Sequence, residues 1–215
     1  MKPEDFIRAN AVLIAPPLVP EILLHLAVEV VPLWRKTEEE LEAAGVPPPY
    51  WAFAWAGGQA LARYVLDHPE TVRGKSILDF GSGSGLVGIA AAKAGAAHVV
   101  SADIDKFAIA AIALNAAANG VSIEAVSDDL IGSARDWNVI LVGDMCYERP
   151  LAERLLAWLT ARAAAGALVL LGDPGRSYFP KSGVTKLHTY NVQVSRDLED
   201  REIRETSVYR FSGSD

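Results

Sequence analysis

Residues 79–85 read Asp79-Phe80-Gly81-Ser82-Gly83-Ser84-Gly85 and follow an apolar run. Glycine has no Cβ, so three of them at alternate positions let the backbone bend sharply and bring amide N–H groups close to a ligand. A helix opening directly after the bend adds a partial positive charge at the same spot. Two carboxylates accompany the bend. Asp79 precedes it, and Asp103 lies about 20 residues beyond its middle glycine, the spacing at which a ribose-binding acid is found. This combination can hold a nucleoside, with backbone amides along one side and carboxylates for its hydroxyl and cationic groups.

Two ligands compete. Gly83-Ser84-Gly85-Leu86-Val87-Gly88 satisfies the dinucleotide pattern G-x-G-x-x-G. Three features favour S-adenosylmethionine instead. Asp79 suits a ligand with an ammonium group and sits badly beside a pyrophosphate. The glycine series starts directly after the strand. The chain also lacks a second nucleotide-binding half. Gly81, Ser82, Gly83 and Gly85 then form the cradle, Asp103 accepts from the ribose hydroxyls with Ile104 beside it, and Asp105 either shares that task or caps the next helix. Asp128 or Asp129, after the third strand, either accepts from the adenine amino group or forms a solvated turn.

Alternating elements must carry these groups. The pattern predicts strands at 76–80, 98–102, 123–126, 138–142 and 167–171, and helices at 58–67, 87–94, 106–119 and 151–165. Gly120 is expected to end the third of those helices as a left-handed cap. Continuous apolar strands between helices imply a parallel sheet covered on both faces. Two last strands, 185–196 and 202–211, have too short a connection to be parallel and must form an antiparallel hairpin. The fold class is thus α/β: a Rossmann-like, seven-stranded mixed sheet of five parallel strands plus a C-terminal hairpin. Ahead of it, residues 1–48 read as a helical lead-in packed on the core, with a helix opened by Pro20 over 21–31 and a capped one over 37–44. Residues 49–215 read as one catalytic unit.

Composition removes whole classes. The chain has 215 residues, 51% hydrophobic and 22% charged, with a formal net charge of −7; it is therefore a globular chain and not a disordered one. The acidic balance argues against nucleic acid or an anionic membrane as partner. One cysteine, Cys146, excludes a disulfide framework, and the scattered histidines offer no metal site, so no metal is expected. No apolar run is long enough to span a bilayer, and the first ten residues resemble neither a secretory signal nor a transit peptide. A cytoplasmic monomer is expected.

Asp79–Gly85, Ala102-Asp103-Ile104-Asp105, and Asn115 and Asn119 in the following helix resemble the class I (seven-stranded) methyltransferases. Segments outside the glycine loop narrow the resemblance. Pro49-Tyr50-Trp51-Ala52-Phe53-Ala54-Trp55-Ala56-Gly57-Gly58, Gly143-Asp144-Met145-Cys146-Tyr147 and Gly172-Asp173-Pro174-Gly175-Arg176 are similar to the lysine methyltransferases of the electron transfer flavoprotein beta subunit, as is the proline-rich lead-in around Pro20. That resemblance implies transfer of methyl from S-adenosylmethionine to a protein lysine, with S-adenosylhomocysteine as product. It implies Asp144 and Tyr147 as catalytic residues, Trp55 and Gly58 beside the cofactor, and Trp51, Asp173 and Arg176 on the acceptor. Asp173, Glu148 or the acidic turn 197–200 are further expected to meet a basic acceptor surface. Asn138 and Cys146 depart from the pattern, where an aspartate and a larger, often aromatic residue are expected. The rivals are a ribosomal-protein methyltransferase, a small-molecule N-methyltransferase of nicotinamide type, and a silent binding module on the same fold.

Overall fold

A computed structural model describes residues 2–27, 48–194 and 203–213. Strands β3 (Ser76–Phe80), β4 (His98–Ala102), β5 (Glu124–Val126), β6 (Val139–Gly143) and β7 (Leu168–Asp173) lie parallel in the order β5-β4-β3-β6-β7. β8 (Val184–Gln193) and β9 (Ile203–Phe211) extend the sheet antiparallel, so that it ends β7-β9-β8. This is the expected mixed sheet. The acidic stretch 197–200 lies outside the described residues.

The apolar runs are continuous because both faces of each strand are covered. On one face Ile77, Val99, Leu141 and Leu170 pack with Leu61 and Val65 of helix α2 (Ala56–Asp67) and with Ile89 and Ala90 of α3 (Leu86–Lys93). On the other, Leu78, Val100, Ile140 and Val169 pack with Leu155 and Leu159 of α5 (Arg149–Ala164). Neighbouring residues of one strand thus serve opposite cores, as a two-residue side-chain period requires. Helix α4 (Lys106–Ala118) is alanine-rich, and its Phe107, Ala108 and Ala111 pack on Trp51 and on Ile7 of α1 (Pro3–Asn10). Gly120 follows it at φ 65°, the expected left-handed stop.

The lead-in differs from expectation. No helix runs from Glu21: residues Leu24–Leu26 form β2, antiparallel to β1 (Val12–Ile14). Local propensity yields here to tertiary partners. The Leu23 amide donates to Asn119 Oδ1 at 3.0 Å and the His25 amide to Asn115 Oδ1 at 2.8 Å, while Leu24 and Leu26 are buried on the core. The expected helix at 37–44 lies outside the described residues. Helix α1 was not anticipated, although Pro3 in its first turn, Glu4 and Asp5 near its N-terminus and Arg8 near its C-terminus are helix-forming signals.

Three glycines set the position of α2. A Cβ on Gly57 would stand 2.1 Å from the Gly172 carbonyl oxygen, and one on Gly172 would stand 2.2 Å from that of Gly57. One on Gly143 would stand 3.0 Å from Gly58 Cα. Backbone therefore touches backbone, and the N-terminus of α2 rests on the carboxyl ends of β6 and β7. Gly57→Ala is expected to force these elements apart and destabilise the fold by about 1–3 kcal/mol, the usual cost of overpacking. The urea midpoint measures it; an unchanged midpoint would show that α2 is free to ride up.

Candidate active site

The sheet reverses its strand order beside β3, and ligands of open parallel sheets sit at such a point, outside the carboxyl ends of the strands. A cavity of about 750 Å³ opens there, within the roughly 300–1,000 Å³ common for ligand sites. Of the residues expected in the site, Trp51, Trp55, Gly58, Asp79, Gly81, Ser82, Gly83, Asp103, Ile104, Asp128, Asp144, Tyr147 and Arg176 all border it. Gly85 and Asp173 do not.

The glycine loop is organised by one carboxylate oxygen. Asp79 Oδ2 accepts from Ser82 Oγ at 2.5 Å, from the Gly88 amide at 2.9 Å and from Ser101 Oγ at 3.1 Å. These donors come from the loop, from α3 and from β4. Burial pushes the Asp79 carboxyl up to about 6, against the pull of those hydrogen bonds, and the Asp103 charge adds to the rise. Gly81 and Gly83 take φ 64° and 53°, a left-handed conformation that a side chain rarely adopts. Gly85, also left-handed, caps α3 and lies over Ile112, where an added Cβ would come within 3.3 Å of Cα. In this structure it packs against α4 behind the loop and does not border the cavity.

The acids after the second and third strands divide their tasks. Asp103 Oδ2 accepts from the Gly83 amide at 2.9 Å and Oδ1 from the Asp105 amide at 3.0 Å, and burial foremost raises its pKa. Asp105 Oδ1 accepts from the Phe107 amide at 2.9 Å and caps α4. Asp103 thus faces the glycine loop while Asp105 serves the helix. Asp129 is drawn to Arg154 at 2.8 Å and to the Ile131 amide at 3.0 Å. Asp128 borders the cavity and is exposed.

The other end of the cavity is aromatic and charged. Asp144 stands just past β6 at φ 57°, among the residue types that tolerate this region. Its Oδ1 accepts from Arg176 Nη2 at 2.8 Å and Nε at 3.1 Å, and its Oδ2 accepts from the Gly58 amide at 3.0 Å. Burial raises the Asp144 pKa, opposed first by the Arg176 charge. The Arg176 guanidinium lies 5.7 Å from the Trp55 ring centroid. Trp55 Nε1 donates to the Tyr50 carbonyl, and the Tyr50 ring stands 6.0 Å from both Trp55 and Tyr147.

Two further expectations change. Asp173 is 2% exposed, and its Oδ1 accepts from the amides of Gly175 and Arg176, both at 2.7 Å. It shapes the turn that carries Arg176 and does not contact the cavity, so its expected place on the acceptor, and on a basic partner surface, is not met. A carboxylate after a strand suits either task, and burial decides between them. Trp51 is 1% exposed, belongs to the cluster around Ile7 and Phe107, and its Cα lies 3.8 Å from where a Cβ on Gly83 would stand. It borders the cavity beside the glycine loop. Cys146 is buried and its thiol is pushed up to about 12, so it carries no thiolate at neutral pH. Asn138 Oδ1 accepts from the Ser76 amide at 2.9 Å and ties the starts of β3 and β6.

Tyr50 and Met145 border the cavity without having been assigned to it. Both lie inside segments already singled out. The Met145 thioether fills the space that a Cβ on Gly81 would need, its sulfur 2.3 Å from that point. Arg154 and Leu151 of α5 also line it, and no local signal in the sequence marks them. Among the described residues no cluster of three or more His, Cys, Asp or Glu is arranged to hold a metal, and no helix is long and apolar enough to cross a membrane.

Asp79 gives this site a pH signature. Its carboxyl titrates near 6 in the folded state and near 4 in an unfolded chain. Between those values the folded protein binds a proton that the unfolded chain does not, so this group adds stability as the pH falls through 6 and removes it as the pH rises. Unfolding free energies in urea at pH 7 and pH 5 should show the wild type gaining roughly 1 kcal/mol on Asp79→Asn at the lower pH. An equal difference at both would place the proton elsewhere.

Comparison with known proteins follows this geometry. The family profile described as ribosomal protein L11 methyltransferase (PrmA) matches residues 59–143. The fold is similar to magnesium protoporphyrin IX methyltransferase (ChlM) from Synechocystis PCC 6803 with bound SAM, at TM-score 0.54 and 20% identity over 73% of this chain and 80% of that one. It is also similar to ribosomal protein L11 methylase from Lactobacillus delbrueckii subsp. bulgaricus, at TM-score 0.50 and 21% identity over 72% and 77%. Among curated proteins, the electron transfer flavoprotein beta subunit lysine methyltransferase of Danio rerio is 40% identical over 91% of this chain and 77% of its own length. That of Xenopus laevis is 38% identical over 97% and 87%, and that of Homo sapiens 37% over 90% and 76%. With such identity sustained from the lead-in to the terminal strands, the chain belongs to the electron transfer flavoprotein beta subunit lysine methyltransferase family.

Proposed function

We propose that this protein transfers a methyl group from S-adenosylmethionine to a lysine side chain of the electron transfer flavoprotein beta subunit. The observation that carries the reading is the identity with relatives named for that acceptor, which covers about nine-tenths of the chain. The match to the L11 methyltransferase profile ends at Gly143, one residue before Asp144, so it spans the glycine loop and stops short of the acceptor end. The single cysteine, buried and unpaired, supports a reducing compartment such as the cytosol.

The cavity suits the cofactor. Gly81, Ser82 and Gly83 present the backbone over which it lies, and Asp103, held against Gly83, is placed to accept from the ribose hydroxyls. Exposed Ile104 and Asp128 flank the adenine, with Asp128 accepting from its amino group because Asp129 is committed to Arg154. Trp55 and Gly58 border the cavity where the cofactor and acceptor meet. When bound, S-adenosylmethionine supplies an electrophilic methyl on a sulfonium.

The remaining work belongs to the acceptor end. A lysine amine attacks only without its proton, and a free lysine titrates near 10.4. Tyr50 and Tyr147 stand half-exposed at the mouth of the cavity beside Trp55, and a docked acceptor would cover them, which removes water from the amine and so favours its neutral form. Asp144 accepts a hydrogen bond from that amine and aims its lone pair, and Tyr147 fixes its approach. Alignment of this kind supplies much of the acceleration in a displacement.

Incubation of the chain with tritiated S-adenosylmethionine and the flavoprotein of the same organism tests the reading: label is expected on the beta subunit. Label on ribosomal protein L11 and none on the flavoprotein would overturn it. Asp144→Ala should lower kcat by about 100-fold or more with S-adenosylhomocysteine affinity nearly unchanged. Asp103→Ala should weaken that affinity by about 10- to 100-fold, the loss of charged hydrogen bonds. Calorimetry separates the two effects.

A further inference from the structure

Arg176 is the cation closest to the acceptor end, yet it does not stand ready to grip an anion. Two of its nitrogens close on one oxygen of Asp144 at 2.8 and 3.1 Å, and its guanidinium carbon lies 5.7 Å from the centre of the Trp55 ring. The second oxygen of Asp144 takes the Gly58 amide at the N-terminus of α2. Asp173, the other nearby acid, holds the turn in which Arg176 sits. From this arrangement we propose that Arg176 is a positioning residue that keeps the acceptor amine neutral, by compensating the Asp144 carboxylate that would otherwise hold it as an ammonium ion.

The proposal rests on the amine-methylation reading and deepens it. In the reaction the nitrogen lone pair forms the new N–C bond while the S–C electron pair leaves with sulfur, and the product nitrogen carries the positive charge. The amine must therefore have released its proton to water beforehand. An uncompensated carboxylate within about 4–6 Å raises the pKa of an amine by about 1–3 units, and an adjacent guanidinium cancels that effect. Among the described titratable and charged groups, Arg176 and Asp173 from the end of β7 and its turn and Cys146 from its own loop interact with Asp144, while Tyr147 and Tyr50 border the same cavity. α2 itself presents a backbone amide there. Asp173 titrates near 6 and Cys146 near 12, below and above the range in which the acceptor limb is read. Orientation by Asp144 and charge compensation by Arg176 are thus separate tasks on one ion pair. The geometry explains how a site can keep a carboxylate beside an amine that must stay uncharged.

The test compares wild type, Arg176→Gln and Arg176→Lys on the flavoprotein acceptor from pH 6.5 to 10, together with acceptor affinity measured with S-adenosylhomocysteine present. For Arg176→Gln the acid limb of kcat should move up by about one pH unit or more. Its rate at pH 7.5 should fall about tenfold and recover towards pH 9, while acceptor binding at pH 7.5 tightens because an ammonium now meets a bare carboxylate. Arg176→Lys, which keeps the charge, should keep the wild-type limb. A uniform loss at every pH with weaker acceptor binding would mean a packing role and overturn the inference while leaving the methyl-transfer reading intact. Absence of wild-type transfer to the flavoprotein would overturn both. If Arg176→Gln fails to fold, Asp144→Asn decides: removal of the carboxylate should leave the limb at or below its wild-type position, and an upward shift would overturn the proposal.

Discussion

A single buried oxygen, Asp79 Oδ2, joins the three segments on which the cofactor end depends. It collects a hydroxyl from the glycine loop, an amide from the start of α3 and a hydroxyl from β4. An anion in a low-dielectric interior is costly unless donors surround it, and here the donors belong to the elements that must stay in register. The same few ångströms contain the left-handed glycines and the contact from Asp103 to Gly83. The loop is thus shaped by the protein before any ligand reaches it, which lowers the ordering cost of binding.

The Asp144 end of the cavity is built differently. Contact between glycine backbones brings its parts together, and the buried carboxylates of Asp144 and Asp173 then tie them. Gly57 against Gly172 brings the N-terminus of α2 down onto the strand ends, and that approach places the Gly58 amide on Asp144. The turn after β7, shaped by Asp173, then delivers Arg176 to the same carboxylate. The glycine loop lies within residues 59–143, whereas Gly57, Gly58, Asp144 and the turn after β7 lie on either side of them. That division agrees with the extent of the L11 methyltransferase profile, which ends where β6 does.

Strands 76–80 and 98–102 are legible to the residue, because an apolar run bounded by glycine or a charged residue leaves little choice of boundary. The terminal hairpin follows from connection length alone. β2 is not legible: its sequence suits a helix after Pro20, and partners distant in the chain, Asn115 and Asn119 with the core around Leu24 and Leu26, together with β1, decide the matter. The acids show the same limit. Asp79 and Asp103 could be set beside the glycine loop from spacing, but Asp173, also an acid at a strand end, is buried on the amides of its own turn, and Asp105 caps α4. Trp51 and Tyr50 are neighbours in an aromatic run, and only the fold assigns one to the loop's flank and the other to the mouth of the cavity.

The side chain of Asn115 is fully buried and bridges two segments. Its oxygen takes the His25 amide and its nitrogen donates to the Ser84 carbonyl, both at 2.8 Å, while the Ala27 amide donates to Ala52 at 2.9 Å. The segment up to Ala27 is therefore stitched to the glycine loop and to the aromatic segment at once. A cut at residue 48 would sever the contacts by which His25 and Ala27 hold Asn115 and Ala52, and α1 and β2 would part from the glycine loop they brace.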